Sequence, residues 1–279
     1  MHRVDLHSHS HCSDGTLSPA ELVARAASHG VTRLALTDHD TVAGLAEAGA
    51  AAAKAGLALV PGVELSLAWS GVPVHLVGLG IDPAHPALAA ALGRLAALRE
   101  ERAERIAHSL ARAGIDGALA GARSHARGAQ LGRTHFARFL ARRLHYGKLG
   151  DVYRRYLVGS RPGHVHVDWP ALEEGIGWVR EAGGVAVLAH PARYRLTAGK
   201  LRRLLAAGCE AGLGGLEVAG ARSLPAEVQL LSTLARQFGL AASAGSDFHS
   251  HEQRWIELGR LVAWPDDLPF VLDALPAAA

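Results

Sequence analysis

Histidine and acidic side chains recur in short polar motifs along this chain of 279 residues. The first motif holds His7 and His9 directly after a short apolar run. In an extended segment, a spacing of two residues turns both imidazoles to the same side, where they can chelate one metal ion. The chain contains 17 histidines, and metal ligation is the commonest function of such a cluster. The motif therefore predicts a metal site.

Further histidines and acidic residues follow later apolar runs. A lone histidine in an apolar strand, such as His75, is more often a hydrogen-bonded core residue than a metal ligand. Six histidines and three acidic residues at successive strand ends cannot all be buried without partners, because each desolvated charge would cost several kcal/mol. A metal cluster would satisfy the whole set, which consists of His7, His9, Asp14, His39, Glu64, His75, His190, Asp247 and His249.

The elements that must position these motifs are strands that alternate with helices. Short runs rich in Val and Leu are followed by Ala-rich segments of helical period, which is typical of a mostly parallel α/β barrel or sheet. Such folds place their active sites at the carboxyl ends of the strands, where most of the polar motifs lie. The predicted strands are residues 3–6, 33–36, 57–60, 73–79, 185–188, 215–218 and 240–243.

The middle of the chain differs from its two ends. Residues 86–161 show helical periodicity and many arginines but no convincing strand, which indicates a helical insertion. Its first helix is predicted over residues 88–113, and other helices are predicted over 18–28 and 168–182. We expect a barrel core formed by residues 1–85 and 165–279, with residues 86–164 as a helical insertion over the active site.

Composition excludes several classes of protein. With 49% hydrophobic and 20% charged residues, the chain can bury a core and is not intrinsically disordered. Two cysteines, Cys12 and Cys209, are too few for a disulfide framework, and no run of 18 uncharged apolar residues predicts a membrane span. We expect a cytoplasmic protein without a membrane or an obligate protein partner. Its positive charge is carried almost entirely by arginine, which favours phosphate and carboxylate ligands.

The order of the polar motifs resembles that of the PHP (polymerase and histidinol phosphatase) superfamily, over about residues 1–80 and 165–260. The helical segment and the string from Leu131 to Arg138 resemble the branch that contains RNase AM (TrpH-like proteins) and the 3′,5′-nucleoside bisphosphate phosphatases. Thr134 stands where that branch leads us to expect proline. The motifs that carry the resemblance are Asp5-Leu-His-Ser-His, Ser13-Asp-Gly, Leu36-Thr-Asp-His-Asp-Thr, Pro61-Gly-Val-Glu64, Ala189-His-Pro and Gly245-Ser-Asp-Phe-His.

The resemblance implies a distorted (β/α)₇ barrel of the PHP type, with a helical insertion and three divalent metal ions. Mn²⁺ is the ion we expect, and oxygen and nitrogen ligands would also accept Zn²⁺ or Fe²⁺. His11 and Cys12 occupy no implied ligand position and are read as exposed loop residues. The implied ligand sets are His7, His9, Glu64 and Asp247 for one ion, Glu64, His75 and His190 for a second, and Asp14, His39 and His249 for a third.

Two acidic residues flank His39 in its motif. Asp38 is expected to orient His39 or a neighbouring imidazole, because a metal-bound histidine usually donates its other N–H to a carboxylate or carbonyl. Asp40 has two interpretations of equal weight. It either caps a helix over residues 41–55 or contacts the sugar hydroxyls of a substrate.

Arginines of the helical segment could bind a substrate phosphate. Arg99 and Arg102 share one helical face, and a salt-bridged surface explains them as well as a clamp does. Arg133 and His135 lie in the string that marks the nucleotide branch, so a phosphate-binding role is favoured for them. With an aromatic content of 5%, a long platform for single-stranded nucleic acid is not expected.

The leading hypothesis is a metal-dependent phosphoesterase that acts on nucleotides. It would be a 3′,5′-nucleoside bisphosphate 3′-phosphatase, a 5′-3′ exonuclease on short 5′-phosphorylated oligonucleotides, or both. The nucleophile would be a hydroxide bound to the metal ions, so no catalytic side chain is assigned. The alternatives are a histidinol phosphatase, a non-catalytic PHP module and an amidohydrolase. The last is weakened because Lys54, Lys148 and Lys200 do not follow strands.

Overall fold

The computed structural model describes residues 3–126 and 130–275. Strands β1 to β7 form one sheet in the order in which they occur in the chain. Only β4 runs against its neighbours, because β3–β4 and β4–β5 are antiparallel while the other pairs are parallel. The strands are β1 (Arg3–Asp5), β2 (Val31–Leu36), β3 (Ala58–Trp69), β4 (Val72–Leu79), β5 (Val185–Leu188), β6 (Gly215–Ala219) and β7 (Ala241–Ala244).

The expected barrel is not confirmed, because the sheet is not closed. β1 and β7 lie at its two edges, and no ladder joins them in the part of the chain that the structure describes. Isolated backbone hydrogen bonds connect these edges instead, including one from the His9 amide to the Phe248 carbonyl over 2.9 Å. The Leu6 amide donates to the Ala244 carbonyl over 3.0 Å, and the Asp247 amide donates to the His7 carbonyl over 2.8 Å. β1 has only three residues, so the two edges meet mainly through the loops that follow them.

Strand β3 is much longer than the predicted strand over residues 57–60. It continues to Trp69 and forms a hairpin with β4 around Ser70 and Gly71, both of which have positive φ (47° and 75°). A two-residue turn with positive φ at both positions matches the twist of the flanking strands. Glu64 therefore lies inside a strand and not in a loop after one, which corrects the prediction.

The helices largely follow the predicted periodicity. Ser18 caps α1 in a reciprocal pair of hydrogen bonds with Glu21. The helix predicted over 168–182 begins later, at Leu172, because the preceding Ala171 is extended and the Pro170 carbonyl accepts from the Ala68 amide. The helices of the two end regions are α1 (Pro19–Ser28), α2 (Leu45–Ala55), α7 (Leu172–Glu181), α8 (Ala198–Ala211) and α9 (Pro225–Phe238), with 3₁₀ turns at Pro191–Tyr194 and Val271–Ala274.

The segment between β4 and β5 contains helices and no strand in its described residues. Helix α3 joins it to the rest of the molecule, because Leu88 and Leu95 pack in the core beside the sheet while Ile106 and Leu110 pack in a separate helical core. The boundaries predicted for this insertion stay a prediction. Its elements are α3 (Pro86–Arg112), α4 (Ala118–Ala126), α5 (Arg133–Arg143), α6 (Leu149–Val152) and a π-helical turn (Tyr153–Leu157).

The core lies on both faces of the sheet. α7, α8 and α9 cover one part of its outer face, and α1 and α2 cover β2 and β3. The opposite face has a smaller apolar cluster that includes Leu6, Val77 and Val187. Among the described residues, no helix is both long and apolar enough to cross a membrane.

Candidate active site

The nine predicted ligands converge at one end of the sheet. Their nitrogen and oxygen atoms form three groups, and the atoms of each group lie within 4.8 Å of one another. One group, His7, His9, Glu64 and Asp247, is identical to an implied ligand set. The second group consists of the implied set Asp14, His39 and His249 together with His9. In the third, His39 stands beside Glu64 and His75, while His190 lies next to it, with Nε2 3.0 Å from Glu64 Oε1. The groups are His7, His9, Glu64 and Asp247; His9, Asp14, His39 and His249; and His39, Glu64 and His75.

The backbone holds these side chains in place through short-range constraints. Ser8 forms an isolated bridge with Phe248, which sets the loop of His7 and His9 beside that of Asp247. The Ser13-Asp14-Gly15 turn folds back tightly, and a Cβ at Gly15 would lie 2.3 Å from the His9 carbonyl oxygen. Asp247 and His190 have positive φ (54° and 31°). Such strained backbone clusters at functional sites.

Glu64 is the centre of the site and is fully buried. Burial alone would raise the pKa of Glu64, but the imidazoles of His39 and His75 hold it well below its usual range. The carboxylate is therefore charged and can bridge two cations. Its neighbours are His75 Nδ1 at 2.8 Å and His190 Nε2 at 3.0 Å from Oε1, with His39 Nδ1 at 2.8 Å and His7 and His9 Nε2 each at 3.3 Å from Oε2.

Many polar atoms of this site are buried without a hydrogen-bond partner among the described residues. A buried polar atom without a partner costs about 1–3 kcal/mol, and native proteins contain few of them. Divalent cations would bind the carboxylate oxygens and one nitrogen of each neutral imidazole, whose other nitrogen carries a proton, so this set of ligand atoms fits metal ions. The atoms are Nε2 of His7, both ring nitrogens of His9, Oδ1 of Asp14, Nδ1 of His39, Oε2 of Glu64 and Nδ1 of His190.

Two of the histidines are held neutral. Burial, together with the neighbouring His249, lowers the pKa of His9 to about 3. Burial also lowers the pKa of His75 to about 4, against the opposing effect of Glu64. Metal ions bind neutral imidazole, so both rings are in the form that ligation requires.

A cavity of about 370 Å³ opens over these groups, with walls from the sheet and the helical segment. Arg102 and Arg133 line it on the helical side, and Arg102 Nε is buried without a hydrogen-bond partner in the described ranges. Burial and the nearby charges of Arg133 and Arg99 lower the pKa of Arg102 to about 9, so it is still cationic at neutral pH. The guanidinium carbon of Arg102 lies 5.7 Å from the centre of the Trp169 ring, within cation–π range.

The sequence profile of the PHP domain family matches residues 5–159. The chain belongs to the PHP family. It is 45% identical over 271 residues to a 3′,5′-nucleoside bisphosphate phosphatase of Chromobacterium violaceum, covering 96% of this chain and 93% of that protein. It is 44% identical over 263 residues to the 5′-3′ exoribonuclease Rnm of Escherichia coli, covering 94% and 89%.

A solved structure from Chromobacterium violaceum, described as an amidohydrolase with bound sulfate and no metal, superposes on this PHP chain with a TM-score of 0.93. The two are 41% identical, and the match covers 98% of this chain and 95% of the other. These comparisons confirm the predicted family and the α/β architecture.

In this PHP chain, Asp40 neither caps the predicted helix nor lines the cavity. The helix that it was expected to cap begins later, at Leu45, so that interpretation is wrong. Asp40 is fully buried: one oxygen accepts from Arg99 Nε over 2.5 Å and the other from the Ser66 amide over 2.7 Å. Both of its carboxylate oxygens are engaged, so it holds Arg99 and does not reach the cavity.

Asp38 and His135 also differ from their predicted roles. Asp38 accepts from the hydroxyls of Ser10 and Ser13 and contacts no imidazole in the described part of the chain, so it holds the first loop in place. His135 is buried, and its Nδ1 accepts from the Gly132 amide over 3.0 Å. It lies on a second cavity and not on the one with the metal groups. His135 therefore caps the start of α5, and the predicted contact with a substrate phosphate is wrong.

Three polar side chains at the candidate site were given no role from the sequence. Glu217 on β6 lies 2.8 Å from Nδ1 of His7, which leaves Nε2 of that ring free for a metal. Arg193 pairs with Asp247 at the edge of the cavity. Thr134 donates to Asp14 over 2.6 Å. The signals were weak, since Glu217 is one acidic residue in an apolar strand and Arg193 one arginine among many.

Proposed function

We propose that this PHP chain is a metal-dependent phosphoesterase that acts on nucleotides. It removes the 3′-phosphate of a 3′,5′-nucleoside bisphosphate, or it acts as a 5′-3′ exonuclease on short 5′-phosphorylated oligonucleotides. One observation carries the proposal. Buried acceptor atoms without partners meet, across one cavity, an arginine whose Nε has no partner among the described residues. The names of the relatives bear out the predicted class of reaction, the hydrolysis of phosphate esters.

We propose three divalent ions, with Mn²⁺ first and Zn²⁺ or Fe²⁺ also accepted, since the donors are oxygen and nitrogen. Bound ions would lower the pKa of a coordinated water and neutralise the phosphoryl oxygens as charge moves to the leaving group. Glu64 would hold two of the ions because its two oxygens face different groups. We assign no protein nucleophile and no acid for the leaving group. The ions would be held by His7, His9, Glu64 and Asp247; by Glu64, His75 and His190; and by Asp14, His39 and His249.

We propose that Arg102 and Arg133 bind the second phosphate of the substrate. A guanidinium presents paired donors that match a phosphate, and Arg102 Nε still needs a partner. Arg99 has a different role. It is held by Asp40 and by Ser66, whose hydroxyl accepts from Nη2 over 2.8 Å, so it supports the cavity wall beneath Trp169. The same phosphate subsite would accept the 5′-phosphate of an RNA end.

The alternatives fit the structure less well. A non-catalytic module predicts lost ligands, and all nine are in place. A histidinol phosphatase has no use for a second phosphate subsite. An amidohydrolase of the carbamylated-lysine kind needs a lysine at the metals, and the chain's three lysines do not line the cavity. We also propose a cytoplasmic location, for which two free cysteines are suitable.

Release of inorganic phosphate from the two phosphate monoesters, and release of mononucleotides from the oligonucleotide, test the proposal. Adenosine 3′,5′-bisphosphate, histidinol phosphate and a 5′-phosphorylated oligoribonucleotide are each incubated with the Mn²⁺-loaded protein. We expect turnover of the first and third substrates, lowered by about 10-fold or more in kcat/KM in Arg133→Ala, because a charged hydrogen bond contributes about 1.5–3 kcal/mol. Arg105→Ala is the matched control, since Arg105 is exposed and pairs with Glu101 outside the cavity.

Turnover of histidinol phosphate alone would contradict the nucleotide assignment. Bound metal without turnover of any of the three substrates would favour the non-catalytic module. Equal loss in Arg133→Ala and Arg105→Ala would show that the phosphate subsite is placed wrongly.

A further inference from the structure

A hydrogen-bond chain runs from the helical segment to one candidate metal ligand. Thr134 Oγ1 lies 2.6 Å from Asp14 Oδ2 and 2.8 Å from the Tyr153 hydroxyl. A carboxylate only accepts hydrogen bonds, so the threonine proton must go to Asp14. The threonine oxygen then accepts from Tyr153. The direction of both bonds is thereby fixed.

The two oxygens of Asp14 are in different situations. Oδ2 is occupied by Thr134, whereas Oδ1 is buried and has no hydrogen-bond partner among the described residues. Oδ1 lies 3.2 Å from His249 Nε2 and 3.9 Å from His39 Nε2, in one of the candidate metal groups. One oxygen is therefore directed at the proposed ion while the other is held by the protein.

The same helix holds Asp14 at a second point. Arg138, one turn further along α5 than Thr134, donates from Nη2 to the Asp14 carbonyl over 2.8 Å. Tyr153 begins the π-helical turn Tyr153–Leu157, and short π-helical turns are frequent at functional sites. Thr134, Tyr153 and Asp14 all line the cavity.

We propose that Thr134, supported by Tyr153, is a positioning residue that fixes Asp14 for monodentate ligation of the ion held with His39 and His249. This inference rests on the proposed metal centre. The hydroxyl of Thr134 fixes the carboxylate plane before metal binds, so the ion meets a site that is already ordered. The helical segment thereby contributes to metal affinity as well as to substrate binding.

Metal binding, measured apart from activity, tests this role. Chelator-stripped protein is titrated with Mn²⁺ by calorimetry, and the bound metal is counted by elemental analysis. Thr134→Val keeps the shape of the side chain but removes the donor, and we expect the affinity for one ion to fall by about 10–100-fold. Thr134→Ser restores the hydroxyl and should restore the affinity. Tyr153→Phe leaves the donor to Asp14 and should cause a smaller loss.

Thr233→Val is the matched control, because the Thr233 hydroxyl donates to the Gln229 carbonyl on the exposed side of α9. Thr233→Val should bind metal like the wild type. Unchanged affinity in Thr134→Val and Tyr153→Phe, with three ions bound to the wild type, would overturn this inference alone. A wild-type protein that binds no Mn²⁺ would instead overturn the proposed function, and this inference with it.

Discussion

The end of the sheet and the helical segment bring opposite chemistry to one cavity. Among the described residues, the sheet end holds carboxylate oxygens without a hydrogen-bond donor, such as Asp14 Oδ1, whereas the helical segment holds a donor without an acceptor, Arg102 Nε. A ligand that satisfies both sides must combine cations with an anion. Metal ions with a phosphate ester fulfil this requirement. The cavity is complementary to a metal-bound phosphate and not to either component alone.

The same contrast exists on a smaller scale within helix α3. Arg99 and Arg102 lie one turn apart on the helix. Their guanidinium carbons lie 5.8 and 5.7 Å from the centre of the Trp169 ring. Arg99 is neutralised by Asp40, but no acidic partner pairs with Arg102 in the described part of the chain. One arginine therefore belongs to the protein's own structure, and the other is available to a ligand.

The largest expected effect comes from Glu64→Gln, which removes the central carboxylate at the end of the sheet. The amide keeps the size of the side chain but loses the charge that is proposed to hold two ions. We expect phosphatase activity to fall by about 10³-fold or more, since metal ions contribute several kcal/mol to charge stabilisation and 1.36 kcal/mol is a factor of ten. Initial rates with saturating Mn²⁺ measure it.

Glu101→Gln serves as the control for this substitution, because Glu101 is exposed and pairs only with Arg105 among the described residues. Full activity in Glu64→Gln would show that the central carboxylate does not hold the ions and would remove the basis of the metal centre.

A smaller effect distinguishes the two arginines. Arg102→Ala should lower kcat/KM for a bisphosphate by about 10–100-fold, in line with about 1.5–3 kcal/mol for a charged hydrogen bond, and should leave thermal stability nearly unchanged. Arg99→Ala should lower the free energy of unfolding by about 3–5 kcal/mol, because it leaves the buried Asp40 charge unpaired. Kinetics and thermal unfolding of both variants measure the difference. Equal stability losses would contradict the assignment.

Much of this site could be predicted because its spacing is local. His7 and His9 share a side through the two-residue strand period. His39, His190, Asp247 and His249 follow strands of the same sheet, so the fold brings them together. Their roles as ligands and the number of ions stay predictions. The β3–β4 hairpin was missed because Pro61 and Gly62 resemble a strand end, whereas pairing with β4 carries the strand past them.

The remaining errors concern the hydrogen-bond partners of single side chains, some distant in the chain and one local. Asp38 was expected beside an imidazole, but two serine hydroxyls lie closer to it. His135 follows Gly132 closely enough to cap its own helix, and this local bond turns it away from the cavity. Glu217 acts on a histidine 210 residues away. Such choices depend on which side chains meet in the folded protein, and periodicity carries no information about them.

Diffraction from crystals soaked with Mn²⁺ and adenosine 3′,5′-bisphosphate tests the central claim most directly. The account predicts anomalous peaks between the ligand atoms of all three metal groups. It also predicts one phosphate at these ions and the other within hydrogen-bond distance of Arg102 Nε and the Arg133 guanidinium. Peaks outside these groups, or a nucleotide bound with both phosphates away from the two arginines, would contradict it.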